Sequence, residues 1–311
     1  MIDWRPGADT RALVARARLN QTVRQFFQQR GVLEVETPFL AAHGVTDRHI
    51  QCIDVPGYGY LQSSPEYHMK RLLAAGSGPI YQIARVFRDG EAGRRHNPEF
   101  SLLEWYRPGW SLELLIGECE DLLRTLLPVA NVRRVAFRTL FFEATGLDPL
   151  NAPLAELQAR AQADSELPEL PREELVDYLM ATVVEASLPT DQLTVVDAFP
   201  GWAAALARTE TDAAGDTVAR RFEIYFGGYE LANGYDELTS AGEQSVRFAE
   251  DQLWRLEQGR PPMQADPWLL AALTHGLPDS AGVAMGLDRI LMCQLQCDDI
   301  RSVLAFDHSR A

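Results

Sequence analysis

Apolar positions along the chain recur with two periods, and these mark out its elements. From Thr10 to Arg30, Leu13, Leu19, Val23, Phe26 and Phe27 fall at helical spacing, with Asp9 or Thr10 as cap and Gly31 as stop. Val32 to Pro38 (VLEVETP) predicts a short strand that proline ends. Ser63 or Ser64, ahead of Pro65 and Glu66, starts a helix with Met69, Leu72 and Leu73 facing inward. Ile80 to Arg88 is aromatic and β-branched, Asp89 to Pro98 is a polar loop with two glycines, and Glu99 to Tyr106 is extended again. That pattern predicts an antiparallel hairpin with a long tip.

Leu112 to Leu127 is an amphipathic helix, Arg172 to Ala186 a helical piece, and Leu193 to Phe199 a buried strand stopped by Pro200. The acidic, proline-punctuated stretch from about 144 to 220 carries no readable motif, and no internal repeat appears. In Arg221 to Leu238 (RFEIYFGGYELANGYDEL), Gly227 and Gly228 predict a two-residue hairpin turn. Alternation then puts Glu223 and Tyr225 on one face with Glu230 and Ala232, and Ile224, Phe226, Tyr229 and Leu231 on the other.

Composition narrows the class. The 311 residues suffice for one large domain or two small ones, and 46% hydrophobic content supports a sizeable core. No apolar run is long enough to span a membrane, and the N-terminal DWRPGADTRALVARAR is too charged for a signal peptide. A cytoplasmic chain with reduced thiols at Cys52, Cys119, Cys293 and Cys297 is expected; the last pair, four apart, lacks a second ligand pair for a metal. A net charge of −15 disfavours non-specific nucleic-acid binding.

Three patches carry candidate chemistry. Arg88, Arg94, Arg95, His96, Asn97 and Phe100 decorate the first hairpin; guanidinium forks suit phosphate or carboxylate, and an aromatic beside them can cover a nucleobase. The alternative is a solvated, arginine-rich tip. Glu223 and Glu230, diagonal neighbours, repel unless a cation joins them, and their hard oxygens suit Mg²⁺ with a triphosphate; the alternative is a solvated sheet face. Near the end, SAGVAMGLDRILM has small residues that let a ligand approach the backbone, then Arg289; alternatively Asp288 and Arg289 form a helix-start ion pair.

FRDGEAGRRHNPEFSLLEWY resembles motif 2 of class II aminoacyl-tRNA synthetases in the lysyl branch. The first helix with GVLEVETP resembles motif 1, and SAGVAMGLDRILM resembles motif 3. The resemblance implies an α+β fold, one catalytic domain over residues 1–311, an antiparallel six-stranded sheet flanked by helices, and a homodimer built through motif 1. It implies ATP contacts from Arg88, Asp89, Gly90, His96, Asn97, Phe100, Glu230, Leu231, Gly286 and Arg289, with Arg88 and Arg289 acting on the transition state, and Mg²⁺ on Glu223 and Glu230. SPEYHMKRL and ELANGYDEL match the amino-acid site: Ser64, Pro65 and Glu66 around the amino group, Tyr106 and Glu237 on the distal ammonium, and Asn233 and Ala284 lining the substrate.

Three features depart from a lysyl-tRNA synthetase. An anticodon-binding barrel normally precedes motif 1, and here only a helix and a few residues do; the motif 2 glutamate is replaced at Gly90; and Ala284 stands where glycine is usual. A chain of this kind looks like the elongation factor P–(R)-β-lysine ligase family. That resemblance implies activation of (R)-β-lysine or lysine and transfer to elongation factor P, with no tRNA and no membrane. A truncated synthetase that charges tRNA and a catalytically inactive regulatory paralogue are the alternatives; the retained Arg88, Glu223, Glu230, Glu237 and Arg289 oppose the second.

Overall fold

The computed structural model describes residues 4–163 and 166–311; residues 164–165 of the acidic stretch and the first three residues lie outside. The chain forms two compact units: residues 1–128 with 237–311, and residues 129–236.

In the first unit, α1 (Thr10–Gln29) is capped by Asp9, whose carboxylate accepts from the Ala12 amide at 2.8 Å. Its buried stripe is Ala12, Leu19, Val23, Phe26 and Phe27. Leu13, expected in that stripe, is 41% exposed, because Ala12 takes the inward position one residue earlier. β1 (Leu33–Glu34) is followed by β2 (Leu40–Ala41), β3 (Asp54–Val55) and β4 (Gly59–Leu61), which form a small separate sheet in the order β2-β4-β3. Then come α2 (Glu66–Ala74), β5 (Ile80–Phe87), β6 (Glu99–Pro108) and α3 (Leu112–Leu126).

The second unit contains β7 (Asn131–Ala136), α4 (Phe137–Thr145), α5 (Leu154–Gln162), α6 (Arg172–Leu179), a π turn (Met180–Val184), α7 (Glu185–Ser187), β8 (Gln192–Pro200), β9 (Thr209–Thr211), β10 (Thr217–Phe226) and β11 (Tyr229–Asp236). The chain then returns to the first unit as α8 (Ala241–Glu257), α9 (Pro267–Gly276), β12 (Ser280–Gly286) and α10 (Leu287–Leu295).

Each unit has three antiparallel strands and one parallel neighbour. In the first, β5, β6 and β12 pair antiparallel while β1 runs parallel to β5. In the second, β11, β10 and β8 pair antiparallel, β7 runs parallel to β8, and β9 adds to β10. The fold is α+β as expected, and the six antiparallel strands are β5, β6 and β12 in the first unit and β8, β10 and β11 in the second, with β1 and β7 as added parallel neighbours. β1 and β7 each meet their partner after an intervening helix or helices, the connection that parallel pairing requires.

Aromatic packing seats the first unit's strands: Phe27 of α1 stacks on Tyr81 at 4.5 Å and meets Trp105 edge-on at 5.3 Å. The second unit has its own core, in which Phe141, Leu175, Val176 and Leu179 bury against Val196 and Phe199 of β8. Among the described residues no helix is long and apolar enough to cross a membrane, and all four cysteines are free thiols.

Candidate active site

The hairpin of β5 and β6 carries the first group of functional side chains. Its tip, residues 88–98, is fastened rather than loose. The Arg88 amide donates to the Pro98 carbonyl at 2.9 Å, the Asp89 amide to Gln51 at 2.8 Å, and the Ile300 amide to Arg94 at 2.8 Å. Gly90 turns the tip at φ +78°, where a glutamate would be strained. Glu91, one place later, stands 3.6 Å from the Arg88 guanidinium. That guanidinium lies 5.0 Å over the Phe100 ring, so cation and aromatic are already stacked. Asn97 is buried and spends its amide on backbone, donating to Glu99 at 2.6 Å and accepting from the His308 amide at 2.9 Å.

β12 lies beside β6 in a register that sets Gly282 opposite Tyr106, Ala284 opposite Glu104 and Gly286 opposite Leu102. Ala284 and Phe100 pack against Ala84, Val86 and Leu102, an apolar floor on the same face. At the start of α10, Asp288 and Arg289 do not pair with each other. Asp288 is buried, accepts from the Ser101 amide at 2.7 Å and pairs with Arg16. Arg289 instead reaches His96, with 2.7 Å between its guanidinium and Nε2. The helix-start ion pair is therefore excluded, and Arg289 belongs with the hairpin tip.

A cluster of carboxylates round one ammonium, the amine pocket, lies in the first unit. Ser64 Oγ accepts from the Glu66 amide at 3.0 Å and donates to Glu104 at 2.7 Å. Tyr106, two residues along β6 and so on the same face, donates its hydroxyl to the other oxygen of Glu104 at 2.7 Å. Lys70 lies one helical turn after Glu66 and sits between two carboxylates, 2.7 Å from Glu66 and 2.6 Å from Glu237. A Cβ added at Gly282 would collide with the Tyr106 ring and the Glu237 carboxylate, which accounts for glycine there.

Three carboxylates and one ammonium in so dry a space cannot all be charged. Burial, with the charge of Glu66, pushes Glu104 up to about 8. Burial also pushes Glu237 up to about 8, against the pull of Lys70. Burial opposes the Lys70 ammonium too, but Glu237 and Glu66 more than offset it and hold it protonated. The sequence reading picked out Glu66, Tyr106 and Glu237 but not Lys70, Glu104 or Gly282. The Glu-x-Tyr spacing on an alternating strand and the Glu66/Lys70 spacing on a helix were the available signals.

In the second unit, Gly227 and Gly228 have φ of +65° and +80° and make the expected turn, with Phe226 opposite Tyr229 and Tyr225 opposite Glu230. A β-bulge follows. It sets Ala232 opposite Ile224 and Asn233 opposite Glu223, so Ala232 leaves the polar face on which alternation had placed it. Glu223 pairs with Arg221 and accepts from the Tyr225 hydroxyl. Burial and the neighbouring Glu230, opposed by Arg221, leave Glu223 raised to about 7. The Arg221 guanidinium thus offsets part of the negative charge on this face. No group of three or more metal-binding side chains occurs among the described residues. Two hard carboxylates still match Mg²⁺, which takes its remaining ligands from phosphates and water.

The family model for class II tRNA synthetases (D, K and N) matches residues 1–310. An elongation factor P–(R)-β-lysine ligase of Mannheimia succiniciproducens is 45% identical over 319 aligned positions, which take in 99% of this chain and 98% of the relative. Proteins of the same name from Pasteurella multocida and Haemophilus influenzae are each 44% identical, covering 98% and 97% of this chain and 97% of each relative. The chain belongs to the class II tRNA synthetases and, within them, to the elongation factor P–(R)-β-lysine ligase family.

Proposed function

We propose that the chain uses ATP to activate (R)-β-lysine, or lysine, as an aminoacyl adenylate and transfers the acyl group to a lysine ε-amine of elongation factor P. The observation that carries this reading is the amine pocket. Buried Glu104, Glu237 and Tyr106 with the half-buried Glu66 form an acid-rich cluster, suited to a ligand with two ammonium groups and hostile to an apolar one. Membership in the family supports ATP as the co-substrate.

The amino-acid carboxylate attacks the α-phosphorus, an acyl–oxygen–phosphorus bond forms, and pyrophosphate leaves. Arg88, stacked on Phe100, stabilises charge developing on the α-phosphate, and Arg289 holds the far end of the triphosphate. Asp89, Gly90 and His96 contribute from the tip, and Leu231 and Gly286 supply backbone contacts to the nucleotide. Glu223 and Glu230 would hold Mg²⁺, whose charge offsets that of the leaving pyrophosphate. Ser64, Pro65 and Glu66 orient the amino group, Asn233 and Ala284 line the substrate, and Tyr106 and Glu237 receive the distal ammonium. The acceptor amine then attacks the acyl carbon, and AMP leaves with the bridging oxygen and takes up the amine's proton.

The test is pyrophosphate exchange with each lysine isomer, followed by mass spectrometry of elongation factor P. Exchange favouring (R)-β-lysine and one added lysyl mass on the acceptor are expected. Charging of tRNA without modification of the acceptor would overturn the assignment.

A further inference from the structure

Lys70 sits inside the amine pocket yet serves no step of the reaction above. Its side chain is 2% exposed, and the two carboxylate oxygens it joins, at 2.7 and 2.6 Å, stand no more than 5.3 Å apart. These oxygens belong to Glu66 and Glu237, the carboxylates assigned to the two ends of the substrate. Lys70 takes one of the about four acceptor positions of each carboxylate, so a ligand ammonium can bind beside it without expelling it. The charges also match. Once an incoming diammonium ligand lets the three carboxylates ionise, the one fixed ammonium leaves two negative charges, which the two ligand ammonium groups neutralise. Without Lys70, whose charge lowers the pKa values of Glu104 and Glu237, the acids would hold their protons to higher pH and compete more strongly with a ligand.

We propose that Lys70 is a positioning residue: its ammonium fixes the separation of Glu66 and Glu237 and leaves the pocket two charges short, so that it fits a diamino acid whose amines stand close together. This inference rests on the proposed function. (R)-β-Lysine carries its amines on C3 and C6, one bond, or roughly 1.5 Å, closer than the C2 and C6 amines of lysine. A clamp with a fixed short span favours the closer pair.

Lys70→Met, which keeps the chain length and removes the charge, and Lys70→Arg, which keeps the charge and alters its reach, test this in the full chain. Pyrophosphate exchange gives KM and kcat separately for ATP, (R)-β-lysine and lysine. Lys70→Met should raise the KM for (R)-β-lysine roughly ten- to a hundredfold, the loss of a charge-assisted contact, with the KM for ATP unchanged. The ratio of kcat/KM between the two isomers should fall toward one. In the native protein the KM for (R)-β-lysine should improve as pH rises through the range where Glu104 and Glu237 ionise. Ser64, Glu66, Lys70 and Tyr106 are the other groups facing them. In Lys70→Met that improvement should move to higher pH, a change that a purely structural role would not produce.

Lys70→Arg should keep the native pH profile and shift the isomer ratio, and it carries the test by itself if Lys70→Met does not fold. An unchanged ratio in either folded variant, or an equal rise in KM for ATP and (R)-β-lysine, overturns the inference alone. A native protein inert toward every diamino acid overturns the proposed function, and the inference with it.

Discussion

Replacing Glu104 by Gln alters the charge of the amine pocket while leaving its shape. The amide is isosteric, and the Ser64 and Tyr106 hydroxyls, each 2.7 Å from Glu104, can rotate to meet an oxygen or a nitrogen. In the folded chain, burial and the charge of Glu66 hold this carboxyl at about 8, while in the unfolded chain it ionises near 4.5. Between those values the folded chain keeps a proton that the unfolded chain has released. The stabilisation is therefore complete below about 4.5 and is lost as pH rises through about 8. Each pH unit of displacement is about 1.4 kcal/mol, which caps the effect at roughly 4–5 kcal/mol. Glu237 competes for the same proton, so about 2 kcal/mol is expected at Glu104 itself. Urea unfolding of both proteins without amino acid, at about pH 6 and about pH 9, reads it directly. Glu104→Gln should gain about 2 kcal/mol on the native chain across that interval. Glu66, Lys70 and Tyr106 face the site in both proteins, whereas Glu237 loses the Glu104 charge in the variant, which is why the expected difference is set below the full displacement. A difference between the two that stays flat with pH would refute the reasoning, since Glu104 would then carry its charge throughout.

Arg88→Ala should lower pyrophosphate exchange about a hundred- to a thousandfold, the usual cost of one lost transition-state contact, with the melting curve little changed because the side chain is 27% exposed. Near-normal exchange would remove Arg88 from the chemistry. Gly282→Ala should cost about 1–3 kcal/mol in an unfolding experiment and raise the KM for the amino acid, because the new methyl meets the Tyr106 ring and Glu237; a silent variant would mean that β12 lies farther from them. Ala284→Gly should shift the kcat/KM ratio about five- to tenfold toward lysine, the effect of one methyl beside Glu104. An unchanged ratio would leave the choice of isomer to Lys70 and Glu66.

The hairpin of β5 and β6 was legible because three independent signals coincide: aromatic and β-branched strands, a polar loop and a closing proline. The turn at Gly227 and Gly228 was legible for a similar reason, since two glycines satisfy its positive φ values. What failed to show was anything set by a partner distant in sequence. Leu13 lies on a helical stripe by spacing, yet the side that faces inward is chosen by what α1 packs against. The bulge beside Leu231 inserts no tell-tale residue, and it alone moves Ala232 away from Glu223. Asp288 reads as a partner for its neighbour Arg289 until the fold delivers Arg16 and the Ser101 amide. Lys70 reads as an ordinary helix-face lysine, because the carboxylate that traps it, Glu237, comes 167 positions later. The candidate residues were mostly found from local motifs; their charges and pairings belong to the folded chain.

The bond between Asn97 and the His308 amide has a consequence for biosynthesis. The tip that carries Arg88 is also held by Ile300, so its fastening draws on residues about two hundred positions downstream. A nascent chain that has passed residue 108 can already bond Arg88 to Pro98 and Asp89 to Gln51, but the bonds to Ile300 and His308 wait until those residues leave the ribosome. Closing so long a loop is slow, and β5 and β6 must wait as an incompletely covered pair with much of their apolar face exposed. Activity should therefore appear late and abruptly during synthesis, and chains stalled short of residue 300 should accumulate as substrates for chaperones and proteases.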